Sequence, residues 1–97
     1  MDNRARIKAN GLALTENKED FKMKIVIGGK YWDKANGNTY HKAKIIDGTT
    51  GEITYSDYEY GYGTAYMQTA KEIFPNEMLI DGGSFYMKKA DCKNGRF

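Results

Sequence analysis

Between Tyr58 and Phe74 the sequence passes from a strand-like stretch, through two glycines, into a helical spacing of apolar residues. Tyr66, Met67, Ala70, Ile73 and Phe74 fall at i, i+1, i+4, i+7 and i+8, which is one apolar stripe of a helix. Gln68, Thr69, Lys71 and Glu72 are left for water, and Pro75 ends the segment because proline cannot donate the next backbone hydrogen bond. This is the one well-formed amphipathic helix in the sequence, about eleven residues long by its spacing. The rest of the domain must therefore be built from strands that one helix can cover.

Four strands are expected. The first, Met23 to Ile27, places Met23, Ile25 and Ile27 on the core face and Lys24 and Val26 on the other, and Gly28-Gly29 ends or bulges it. Asn36-Gly37 marks a hairpin, since both residue types tolerate positive φ. The second strand, Thr39 to Asp47, turns His41, Ala43 and Ile45 inward and Tyr40, Lys42 and Lys44 outward. Gly48 to Gly51 is a second turn, and the third strand runs from Glu52 to about Tyr58 with Ile53 and Tyr55 inward. After the helix, Asn76 to Gly83 reads as a connection whose Met78, Leu79 and Ile80 cap the core. Ser84 to Ala90 is the fourth strand, with Phe85 and Met87 inward and Tyr86 and Lys88 outward, and a short polar tail carries Cys92.

The expected fold is α+β: a four-stranded antiparallel sheet, in the order β-β-β-α-β, with one helix packed on one face. That face holds Ile25, Ile27, Ala43, Ile45, Ile53, Phe85 and Met87. Residues 1–21 lack a sustained period and read as a loosely ordered N-terminal arm, or a short helix laid over the domain, with Leu12, Leu14 and Phe21 as its anchors; residues 22–97 read as a single domain. A chain of 97 residues suffices for one such domain without disulfides or metal.

Hydrophobic content of 40% and charged content of 29% are those of an ordinary globular chain. No apolar run approaches the ~20 residues of a membrane span, and no charged-then-apolar leader opens the sequence. The single cysteine suits a reducing cytoplasm. A net charge of +2 is neither the acidic excess of a nucleic-acid mimic nor the basic excess of a nonspecific duplex binder.

Tyrosine usage says more than charge does. The chain has eight tyrosines against four phenylalanines and one tryptophan, and Tyr55, Tyr58, Tyr60, Tyr62 and Tyr66 lie close together. Tyrosine combines apolar area with a polar tip and suits half-wet interfaces, or a small aromatic core with its hydroxyls at the surface. Tyr31 and Trp32, beside the Asn36-Gly37 turn, are either a lid over the core or an exposed anchor. A protein-binding surface would use Trp32, Tyr31, Tyr58, Tyr60 and Tyr62.

The outer sheet face offers an alternative. Lys24, Tyr40, Lys42, Lys44, Tyr86 and Lys88 interleave lysines with rings, as in surfaces that neutralise phosphates and stack bases of single strands. A solvated face whose lysines discourage aggregation has the same pattern. Gly61-Tyr62-Gly63-Thr64 could cradle an anion at the helix start, but it lacks the Lys-Ser/Thr of a phosphate loop and the third glycine of a dinucleotide fingerprint. A strand-to-helix corner capped by Thr64 is the preferred reading. His41, the only histidine, reads as a core imidazole rather than a catalyst, and one His, one Cys and scattered acids do not make a metal site. No cofactor and no enzymatic activity are expected.

Asn38-Thr39-Tyr40-His41, opening a basic strand, and Tyr60-Gly61-Tyr62-Gly63, leading into Tyr66, resemble a group of small uncharacterised bacteriophage proteins. In that group a GNTYH hairpin precedes an acidic-aromatic strand and a YGYG turn. The likeness covers roughly Lys24 to Phe74 and implies a phage or mobile-element origin, and with it the cytoplasm of a host cell. Small phage-type proteins of this kind act by stoichiometric binding, and inhibitors of host defence such as anti-CRISPR proteins are a prominent class among them. The resemblance implies a host protein complex as the partner; a two-fold, face-to-face homodimer is a further expectation.

Overall fold

The computed structural model describes residues 23–97. Its elements are β1 (Met23–Asp33), β2 (Asn38–Asp47), β3 (Ile53–Tyr55), β4 (Glu59–Tyr60), α1 (Ala65–Ile73), β5 (Met78–Tyr86) and α2 (Lys89–Lys93). The mixed α+β class is as expected, but the sheet is not wholly antiparallel. Its order is β3-β2-β1-β5, with β4 also paired to β2, and β5 runs parallel to β1. The reason is directional. The meander leaves the chain running with β1, α1 carries it back across the sheet, and the next strand must run with β1 again.

Strand β1 does not stop at Gly28-Gly29. It continues to Asp33 because each glycine admits an aromatic ring on a different face of the sheet. A Cβ on Gly28 would stand 2.5 Å from the Tyr66 ring on the helix side, and one on Gly29 would stand 2.6 Å from the Phe97 ring on the other. Beyond them a four-residue turn closes the hairpin: the Gly37 N–H donates to the Asp33 carbonyl (2.8 Å), and Gly37 adopts φ 68°.

The helix layer is small and closed. Val26, Ala43 and Ile45 from the sheet meet Tyr66 and Ala70 from α1, with Met67, Phe74 and Leu79 packed around them. The β2 phase is as the alternation predicts; the β1 phase is inverted. Lys24 and Val26 face the helix, whereas Ile25 and Ile27 face away, in register with Ile46 and Lys44. Lys24 can be buried there because its ammonium lies 3.0 Å from Asp47 and 3.3 Å from Glu77, and 4.4 Å from the Phe74 ring centroid. Ile53, Phe85 and Met87 also lie outside the helix core, and Ile73, at the end of the stripe, is exposed.

The expected tail is a folded element. In α2 the Cys92 thiol donates to the Gly29 carbonyl (3.2 Å), and Phe97 packs edge-on against Tyr55 and Phe85 at 5.6 and 5.7 Å. The hairpin half of the second face is thus covered, while Met23, Ile53, Met78 and Ile80 leave the other half apolar and accessible. Asp81, expected in the connection Asn76 to Gly83, sits at a bulge in β5 opposite Val26; its carboxylate accepts from the Tyr66 hydroxyl (2.6 Å) and the Gly83 N–H (2.8 Å). The expected arm, residues 1–21, lies outside the described residues.

Candidate functional site

Aromatic rings gather at the hairpin end of the sheet, but on two faces. On the helix side, Trp32 on β1 pairs with Thr39 on β2, and Tyr86 on β5 pairs with Lys30. Trp32 and Tyr86, 49% and 61% exposed, flank a shallow groove of about 560 Å³ that Tyr31, Thr39 and Met87 complete. Lys30, two residues before Trp32 on the same face, is only 8% exposed. Its ammonium donates to the Gly63 carbonyl (3.3 Å) and lies 5.0 Å from the Tyr86 ring centroid.

On the other face the cross-strand pair Tyr31–Tyr40 is extended by Tyr58, stacked on Tyr40 at 5.2 Å, and by Tyr60, edge-on at 5.7 Å. The Lys93 ammonium stands 6.0 Å from the Tyr58 centroid. The Tyr58 hydroxyl is buried without a hydrogen-bond partner among the described residues, and burial pushes it up to about 12. Tyr62, at the entry to α1, is 74% exposed.

The five residues expected at a protein interface are thus divided. Trp32, Tyr60 and Tyr62 are accessible; Tyr31 and Tyr58 are half-buried and work as support. The lysine-tyrosine set is divided too. Tyr40, Lys42 and Lys44 share the second face, but Lys24 and Tyr86 lie on the helix side and Lys88 is exposed just before α2. Lys24 is locked into its ion pairs, its pKa raised chiefly by the hydrogen bond to Asp47. Asp47 is held well below the usual carboxylate range by the Thr50 N–H, the Lys24 ammonium and the Thr49 N–H. A continuous cationic strip is therefore absent among the described residues. Thr64 occupies the position before α1 without making a side-chain cap.

His41 is buried, with a hydrogen-bond partner at each ring nitrogen. The Gly61 carbonyl (3.2 Å) can only accept, so Nδ1 carries the proton; Nε2 then accepts from the Thr69 hydroxyl (2.6 Å). Burial lowers its pKa, with the Gly61 contact and Glu59 opposing and Lys30 assisting. The unfolded chain therefore binds a proton more readily than the folded one. Stability should be intact above the ordinary imidazole value near 6.5 and fall as pH drops below it, by at most about 1.4 kcal/mol per pH unit. Urea midpoints between pH 8 and pH 5 would show this slope, and His41→Gln should flatten it. Cys92 is likewise buried, and that burial pushes its thiol pKa up, away from a nucleophile's range.

The groove and Lys30 were not legible as a site. Reading Gly28-Gly29 as strand interior would have put Lys30 and Trp32 on one face, but the approach of Tyr86 depends on the parallel pairing of β5. Among the described residues no group of three His, Cys, Asp or Glu side chains could hold a metal, and no helix is long and apolar enough to cross a membrane. Comparison with protein-family models, curated proteins and solved structures finds no match to this chain.

Proposed function

We propose that the chain is a stoichiometric binding protein that captures a protein partner at the hairpin end of its sheet, with Trp32, Tyr60, Tyr62 and Tyr86 as contact residues. The observation that supports this most is the exposure of these rings beside or on paired strands. A rigid, exposed ring loses little conformational freedom on association and buries much apolar area, which is why Trp and Tyr dominate interface hot spots. The phage-type motifs direct the search to a host protein complex, with a defence nuclease, as for anti-CRISPR proteins, as the first class to test. Single-stranded nucleic acid is the weaker reading, because Lys24 is spent on Asp47 and Glu77 and Tyr40 is enclosed by Tyr58 and Tyr60.

The test is affinity capture from a bacterial lysate with the wild-type chain and with Trp32→Ala, Tyr60→Ala and Tyr62→Ala combined. Truncating hot-spot rings costs about 2 kcal/mol or more each, so recovery of the partner should fall at least ~30-fold. The variant should keep its circular dichroism and urea midpoint. Undiminished capture would remove this surface from consideration.

A further inference from the structure

We infer that the groove between Trp32 and Tyr86 is an anchor pocket for an acidic-aromatic segment of the partner: an aromatic side chain lies between the two rings, and a neighbouring carboxylate reaches Lys30. This rests on the proposed protein-binding role and deepens it. Three observations carry it. The groove is walled by two large exposed rings, with Tyr31, Thr39 and Met87 completing a mostly apolar lining, a chemistry that suits a flat apolar group. Beside it lies a cation more than nine-tenths buried whose contacts are a carbonyl and a ring face, both neutral.

Among the described residues no carboxylate lies within 4.0 Å of the Lys30 ammonium, in contrast to Lys24, which has two. Burying a cation is costly unless an anion compensates it. Among the described residues Asp81 feels the Lys30 charge but lies beyond 4.0 Å and already accepts from Tyr66 and Gly83, so an incoming carboxylate would find no direct ion pair to displace. The third observation is the rim. Lys88 and Lys89 follow Met87 directly and are exposed, two cations of which Asp33, the carboxylate that feels the Lys89 charge, offsets only part. The charge around the groove thus favours an acidic partner.

Fluorescence anisotropy with three labelled probes tests the assignment: a short peptide with a central phenylalanine flanked by glutamates, the same peptide with glutamines, and a ten-nucleotide oligothymidine. The glutamate peptide should bind at least ~10-fold more tightly than the glutamine peptide. Lys30→Met keeps the buried stem and should erase that preference, while Trp32→Ala and Tyr86→Ala should each weaken the glutamate peptide at least ~10-fold. Urea midpoints establish that each variant is folded, and Lys30→Arg, which restores the charge, should regain the preference if Lys30→Met loses it. Equal binding of the two peptides, no binding of either, or a preference that survives Lys30→Met would overturn the pocket. Tighter binding of oligothymidine, weakening steeply with salt, would overturn it in favour of nucleic acid. If the peptides fail while the Trp32, Tyr60 and Tyr62 triple variant still loses lysate capture, the pocket is wrong and the protein-binding surface stands.

Discussion

Gly28→Ala is expected to destabilise the domain by about 2 kcal/mol or more, at the upper end of the cost of overpacking a core. The new Cβ would stand 2.5 Å from both Cγ and Cδ1 of Tyr66, atoms next to the backbone of α1 that cannot swing aside as a chain end could. The ring is buried, and its hydroxyl is tied to Asp81 at 2.6 Å, so relief requires moving the helix or breaking that bond. Removing the ring in Tyr66→Ala should itself cost about 3–5 kcal/mol, as for other large aromatic truncations. The double variant should be less destabilised than the sum of the singles, because the clash disappears with the ring. Urea unfolding of the four proteins closes the cycle. Simple additivity would mean that Gly28 matters for backbone reasons rather than for the ring above it.

Ser56→Ala should cost about 1–3 kcal/mol, the penalty for leaving a buried amide without a partner. Between β3 and β4 the chain leaves the ladder, and Ser56 takes over. Its hydroxyl accepts from the buried Ala43 N–H at 2.7 Å and donates to the Asp57 carbonyl at 2.8 Å, while its own N–H donates to the Ala43 carbonyl at 2.9 Å. A methyl group can do neither side-chain task. Native-state hydrogen exchange should therefore quicken first at Ala43 and Ser56, before the β1–β5 amides respond. Because β4 carries Tyr60 and leads to Tyr62, the same variant should also weaken partner capture without touching a contact residue. Unchanged exchange at Ala43 would show that another acceptor fills the gap.

Some of this architecture could be read from residue order and some could not. The period of α1, the second strand with His41, Ala43 and Ile45 inward, and the turns at Asn36-Gly37 and Gly48–Gly51 follow from local spacing and backbone preference. The first strand failed on Lys24. Parity sends a lysine outward unless its counter-ions are known, and Asp47 and Glu77 are distant in sequence. The last strand failed on Asp81-Gly82-Gly83, whose turn-like composition here serves a bulge and an acceptor for Tyr66. The tail failed because Cys92 and Phe97 gain their place only when Gly29 lies bare beneath them.

The same division holds for the functional surface. Sequence alone fixed that the chain is rich in tyrosine, carries Trp32 by a hairpin and spends its one good helix on one side of a sheet, since these depend on neighbours a few residues away. Only the tertiary structure decided that Tyr58 supports Tyr40 while Trp32 and Tyr86 line one groove, and that Lys30 is buried with no described carboxylate within 4.0 Å. Those facts depend on the parallel docking of β5 beside β1. Register between segments about fifty residues apart is set by packing and not by local preference.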